Sequence, residues 1–182
     1  GQPMHAFALS RLTGGLEVRM AKPGEKLELL NGQIAELTPD MLVVADLNGP
    51  AALAGIMGGQ LSSVEKFTVD VLLEAAFFAP AAIAGRARRL GLSTDSSHRF
   101  ERGVDFDATR QAMERATRLL IDICGGQPGP VAETATGLPH RDPIVLRLPR
   151  LARVAGIALD PERVAQGFRA LGAGVERRDD SL

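Results

Sequence analysis

Between Gly15 and Ala45 the chain alternates short apolar runs with turn signals, and that rhythm constrains the fold more than any other feature of its 182 residues. Leu16–Met20, Leu27–Leu30 and Met41–Ala45 each read as a short strand, separated by Pro23-Gly24 and Asn31-Gly32. Asn31-Gly32 predicts a two-residue type I′ hairpin, because both central residues of that turn need positive φ.

The next segments change character. Ala51–Gly59, AALAGIMGG, is a small-residue turn, and Thr68–Phe78, TVDVLLEAAFF, predicts an apolar strand with one internal glutamate. A small-residue turn beside a buried strand can line a pocket. Pro80 suits the first turn of a helix that continues over Ile83–Leu90, carries Arg86, Arg88 and Arg89, and ends at a left-handed Gly91. Asp105 or Asp107 caps a second helix, whose apolar positions Ala112, Ala116, Leu119, Leu120 and Ile123 keep helical spacing up to Gly125-Gly126.

Gln127–Pro143 contains four prolines and reads as a connection between units. A boundary near Arg141 divides the chain into 1–140 and 141–182. In the second part Ile144–Leu148 predicts a short strand, and Asp160-Pro161 opens a helix with Val164, Phe168 and Leu171 on one face before Gly172. About forty residues bury little core alone. The expected class is therefore α+β, followed by the start of a small helix-rich domain. An initial Gly1 without a leader, and an end at Ser181-Leu182 just after a charge cluster, are both read as cuts.

Composition excludes several functions. At 45% hydrophobic and 24% charged the chain can bury a real core. A net charge of -1 and a pI of about 6.4 lack the overall basic footprint of an autonomous nucleic-acid binder, so RNA contact must come from local patches. Phe is the only aromatic type, which removes a Tyr/Trp stacking platform. Cys124 stands alone and offers neither a disulfide nor a paired thiolate metal site, which points to a reducing, cytoplasmic setting. Pro80 and Arg86 interrupt the longest apolar run, Val71–Ala84, short of the roughly 20 residues a membrane helix needs, so no membrane partner is expected.

Five ordered segments carry a family resemblance: GQPMHAF (Gly1–Phe7), LVVAD (Leu42–Asp46), ALAGIMGG (Ala52–Gly59), LLEAAFF (Leu72–Phe78) and TDSSHRFERGVD (Thr94–Asp105). Together they resemble the central editing domain of the bacterial-type phenylalanyl-tRNA synthetase beta subunit, and the tail resembles the start of the following domain. Two departures are visible: Ala8 follows HAF where relatives commonly have Asp, and Asn31 precedes Gly32 where Asp is usual. The resemblance implies a layered β/β/α domain. It also implies hydrolysis of tyrosine wrongly attached to phenylalanine tRNA, within an aminoacyl-tRNA synthetase heterotetramer that includes an alpha subunit. A synthetic pocket built for phenylalanine poorly excludes an analogue that adds a hydroxyl, whereas a second site can select that hydroxyl.

The same resemblance assigns roles. Glu74 matches the glutamate that recognises the tyrosine hydroxyl, a carboxylate being an apt acceptor for a phenolic donor; read unaided, a salt bridge or an outward strand position satisfies it equally. His5 matches a pocket histidine suited to positioning an ester or water, or to accepting a proton; unaided, it is a locally paired loop or strand residue. Thr94 matches a pocket threonine, although Ser93-Thr94-Asp95 also reads as a turn or helix cap. Ser96 sits where a small side chain leaves room for the ring. Gly55 matches a residue whose backbone N–H reaches the tyrosine hydroxyl, and unaided it belongs to a tight turn. Arg99 and Arg102 either meet tRNA phosphates or lock their own loop through carboxylates. The arginines at 86, 88 and 89 form a solvated helix face or lie beside an incoming acceptor end.

No cofactor is expected here. The glycine run is followed by Gln60-Leu61 rather than Lys-Ser/Thr, so it is not a phosphate loop, and ATP and Mg²⁺ are expected of the parent enzyme. The competing readings are a stand-alone deacylase and a noncatalytic tRNA-docking or subunit-assembly module.

Overall fold

The computed structural model describes residues 1–178 and 181; Asp179, Asp180 and Leu182 of the terminal charge cluster lie outside them. The chain divides into two compact units, Gly1–Glu133 and Thr134–Leu182.

The first unit is α+β. A four-stranded antiparallel sheet has the order β2-β5-β6-β7, formed by β2 (Glu17–Met20), β5 (Leu42–Asp46), β6 (Gly49–Leu53) and β7 (Met57–Gly58). β3 (Lys26–Glu28) and β4 (Ile34–Glu36) form a separate hairpin. β1 (Met4–Ala8) pairs antiparallel with the distant β8 (Val71–Ala75). Phe7, Leu29, Val43, Leu53 and Ile83 are the largest fully buried side chains, so all three strand groups supply the core.

Four local expectations change. The 3–4 hairpin is closed by Gly32 N–H donating to Leu29 O at 2.8 Å, with Gly32 at φ +80°. That makes Leu30 and Asn31 the central turn residues and leaves Gly32 as a left-handed bulge, instead of a two-residue type I′ turn. AALAGIMGG is not one turn: its ends belong to β6 and β7, and only Ala54–Ile56 turns, with Ile56 N–H donating to Leu53 O at 3.0 Å. The strand predicted over Thr68–Phe78 is confined to β8. The helix predicted from Pro80 to Leu90 is two short pieces, α1 (Pro80–Ile83) and α2 (Arg86–Arg89). Ala84 is extended at ψ 125° and Gly85 is left-handed at φ +78°, a break that a glycine permits at little steric cost.

α3 (Asp95–Phe100) and α4 (Thr109–Cys124) complete the unit. Asp105 caps a 3-10 turn at Phe106–Ala108 that runs directly into α4, and Gly125 ends that helix at φ +75°. α4 packs along β8.

The second unit contains α5 (Leu148–Ala155) and α6 (Pro161–Ala170). Asp160 caps α6 by accepting from Arg163 N–H at 3.2 Å. The strand predicted at Ile144–Leu148 is absent: Pro149 occupies the first turn of α5, where its missing N–H costs nothing, and Leu148 is already helical. Among the described residues no helix is long and apolar enough to cross a membrane.

Candidate functional site

The β1–β8 ladder sets His5 opposite Glu74. Side chains directly across an antiparallel pair lie on one face, with Cβ atoms about 4.5–5.5 Å apart. The two residues are thus delivered to the same place by segments remote in sequence.

Among the described residues neither side chain has a polar partner. Nε2 of His5 is buried and forms no hydrogen bond, and no hydrogen bond or ion pair reaches Glu74 among the described residues. Burial pushes the Glu74 carboxyl up to about 7, and it lowers the His5 pKa, so the imidazole is held toward its neutral form. The His5 ring meets Phe7 edge-on, with centroids 4.4 Å apart. Its other neighbour is the bare backbone of Gly58 in β7: a Cβ there would overlap Cε1 of His5 and lie 2.6 Å from Nε2.

The opposite wall comes from the Ala54–Ile56 turn and the start of α3. Gly55 adopts φ +67°, and a Cβ there would press within 3.0 Å of Phe100 and 3.1 Å of Phe78. Those rings pack against one another with centroids 5.1 Å apart. Thr94 is the N-cap of α3, with a reciprocal capping box to Ser97. Its Oγ1 accepts from Ser97 N–H at 3.0 Å and donates to Ile56 O at 2.9 Å. Ser96 Oγ donates to Gly55 O at 3.0 Å. Two hydroxyls therefore fasten the helix to the turn.

His5, Gly55, Glu74, Thr94 and Ser96 all line one cavity of about 220 Å³. Its hydrogen-bonding character follows from the bonds already made. Ser96 and Thr94 have spent their protons on carbonyls and retain acceptor lone pairs. Glu74 is an acceptor when ionised. The Gly55 N–H donates to nothing among the described residues. The cavity is rich in acceptors and suits a ligand that brings its own donors.

Arg99 and Arg102 do not line it. Arg102 donates to Glu101 at 2.7 Å and to His98 O at 3.0 Å, an arrangement that secures its own loop. Arg99 is exposed and unpaired among the described residues. Of the other cluster, Arg89 and Arg86 bind Asp40 at 2.7 and 3.6 Å, while Arg88 is exposed. In the second unit Arg147, Arg150, Arg153 and Arg178 border a larger, more open hollow of about 540 Å³. All four are exposed, and none of the site residues expected from the sequence borders it, so it reads as a solvated basic face.

Three contributors escape sequence reasoning. Ser97 had a signal, three residues after Thr94, which is the spacing of a capping box. Phe7 and Gly58 had none, since their value depends on where His5 arrives. Among the described residues no group of three His, Cys, Asp or Glu stands close enough to hold a metal.

Comparison with known proteins places the chain. Over 182 residues, all of this chain, it is 70% identical to the phenylalanine–tRNA ligase beta subunit of Thiobacillus denitrificans. It is 56% identical to the same subunit of Nitrosospira multiformis over 98% of its length, and 53% identical to that of Pasteurella multocida over 99%. The chain spans 23% of the length of each of these relatives. A family model described as the B3/4 domain matches residues 1–125, a stretch that includes every residue named for the cavity. On that match the chain belongs to the B3/4 domain family.

Proposed function

We propose that this chain is the B3/4 segment of a phenylalanine–tRNA ligase beta subunit, and that its cavity hydrolyses tyrosine from mischarged phenylalanine tRNA. The observation that carries the reading is the pairing of His5 with Glu74 in an acceptor-rich cavity, where neither has a hydrogen-bond partner among the described residues. A half-buried carboxyl left unpaired is costly to ionise, and a ligand donor relieves that cost.

In this reading the tyrosine hydroxyl donates to the ionised Glu74, and the Gly55 N–H donates to the same phenolic oxygen. A phenylalanine ring leaves the carboxyl unpaired and is disfavoured. His5, neutral in the cavity, positions the ester and accepts a hydrogen bond from the attacking water, with the spare lone pair of Thr94 as a second acceptor. Water adds to the ester carbonyl and gives up a proton, the bond to the ribose oxygen breaks, and that oxygen takes up a proton, leaving free tyrosine and a ribose hydroxyl. Ser96 keeps the ring side open and holds the Gly55 turn. Arg99 is the basic group assigned to tRNA phosphate, and Arg102 supports its loop.

The parent is read as a cytoplasmic heterotetramer with an alpha subunit. ATP and Mg²⁺ are assigned to its aminoacylating parts, and no step of the hydrolysis is routed through them.

The decisive experiment supplies tyrosine-charged phenylalanine tRNA to the intact ligase and compares tyrosine release with and without Glu74→Ala. Loss of release supports the reading. Unchanged release removes Glu74 from the chemistry and leaves the cavity as a docking or assembly feature.

A further inference from the structure

The rung that places His5 against Glu74 depends on how the β1–β8 ladder is held at its open end. Met4 pairs with Ala75, so the next rung outward sets Pro3 against Ala76. At the far end Leu9 N–H donates to Asp70 O at 3.0 Å, while the N–H of Ala8 turns away to Ser62 O at 2.9 Å. Antiparallel rungs alternate between hydrogen-bonded and non-hydrogen-bonded pairs. By that alternation Phe7–Leu72 and His5–Glu74 are bonded rungs, and Pro3–Ala76 falls at the next bonded position, just beyond the paired strands.

Proline has no N–H to give. Ala76 O nevertheless receives a donor: Nε2 of Gln2 lies 2.6 Å from it and 3.3 Å from Pro3 O. One amide group thus bridges both carbonyls of the rung. Its own oxygen is buried with no partner. The reverse orientation would set that oxygen against two carbonyl oxygens, so the donor role fixes how the amide lies.

We propose that Gln2 is a positioning residue, its side-chain amide replacing the ladder hydrogen bond that Pro3 lacks and thereby fixing the register that sets His5 opposite Glu74. The register matters because a slip of one residue turns His5 to the other face of the strand. Pro3 stops the ladder, and Gln2 keeps the stopped end closed. The consequence for catalysis rests on the editing reading; the clamp itself does not.

A double-mutant cycle tests it. Gln2→Glu removes the donor, and Pro3→Ala restores a backbone N–H at the same rung. The cycle is run by urea denaturation of the full chain and by tyrosine release from mischarged tRNA with the intact ligase. Gln2→Glu is expected to lower the denaturation midpoint and to slow tyrosine release about tenfold, in keeping with a small misplacement of a catalytic group. In the Pro3→Ala background both losses are expected to shrink to about a third, the coupling of groups that share one partner. Should Gln2→Glu fail to fold, Gln2→Met, which removes the donor without adding charge, carries the same cycle. Equal losses in both backgrounds, or no loss from Gln2→Glu, overturn the proposal. Coupling in denaturation with tyrosine release unaltered overturns the positioning role. A wild-type ligase that releases no tyrosine defeats the editing reading instead, and the denaturation cycle then decides the clamp alone.

Discussion

His5 and Glu74 occupy one rung of the β1–β8 ladder, and among the described residues each lacks a polar partner in the cavity they share. In the proposed function such groups are matched to a ligand that enters the cavity. Their separate removal should therefore have separate signatures.

Glu74→Ala and Glu74→Gln are expected to slow tyrosine release by about ten- to a hundredfold, corresponding to the roughly 1.5–3 kcal/mol of a hydrogen bond to a charged group. Release of phenylalanine should not slow. Parallel rates on the two charged tRNAs check this, and equal slowing of both contradicts Glu74 as the selector.

Stability should carry the imprint of the same carboxyl. With a folded pKa near 7 against an ordinary 4.5, Glu74 keeps its proton in the folded chain where the unfolded chain has lost it. Stability then falls as pH rises from 4.5 through 7, by at most about 3 kcal/mol. His5 acts in the opposite sense: its lowered pKa makes the unfolded chain bind more protons below 6.5, so its contribution rises toward that pH. Denaturation midpoints from pH 5 to 8 should show Glu74→Gln removing the fall and gaining most above pH 7. An unchanged slope in Glu74→Gln contradicts the assignment.

Gly58→Ala introduces a methyl group into the space of the His5 imidazole. It should cost about 1–3 kcal/mol of stability as an overpacked site. The His5 ring resonances should shift, and tyrosine release should fall with them. A folded variant with an unmoved His5 would rule out the steric seat.

Ser97→Ala removes one half of the capping box that holds Thr94. A loss of about 1 kcal/mol is expected, or about 2–4 °C in Tm. Ser97→Thr should restore most of it; equal losses in both variants would show that the hydroxyl is not what matters.

What the sequence makes legible is whatever neighbours in the chain decide. Asp160 caps α6 and Gly125 ends α4 because a cap and a stop are settled within one turn of helix. Gly85 was harder to read, since a helix tolerates an internal glycine unless packing makes use of its left-handed conformation. Pro149 reads as an end to a strand or a beginning to a helix, and only the chain before it decides which. The cavity is the extreme case. Its five named residues come from four separate stretches, and family resemblance could point to them individually while Gly58 and Phe7, which shape the space around His5, carry no local mark.

The ladder that brings His5 to Glu74 also ties Gln2 to Ala76 across 74 positions of chain. Closing so long a loop is entropically unfavourable until the intervening strands have formed and shortened it. The β2-β5-β6-β7 sheet and the 3–4 hairpin, built from near neighbours, can assemble first. On that ground the cavity is expected to form late in folding, and a chain stopped before the β1–β8 ladder closes would hold every residue of the site without a site.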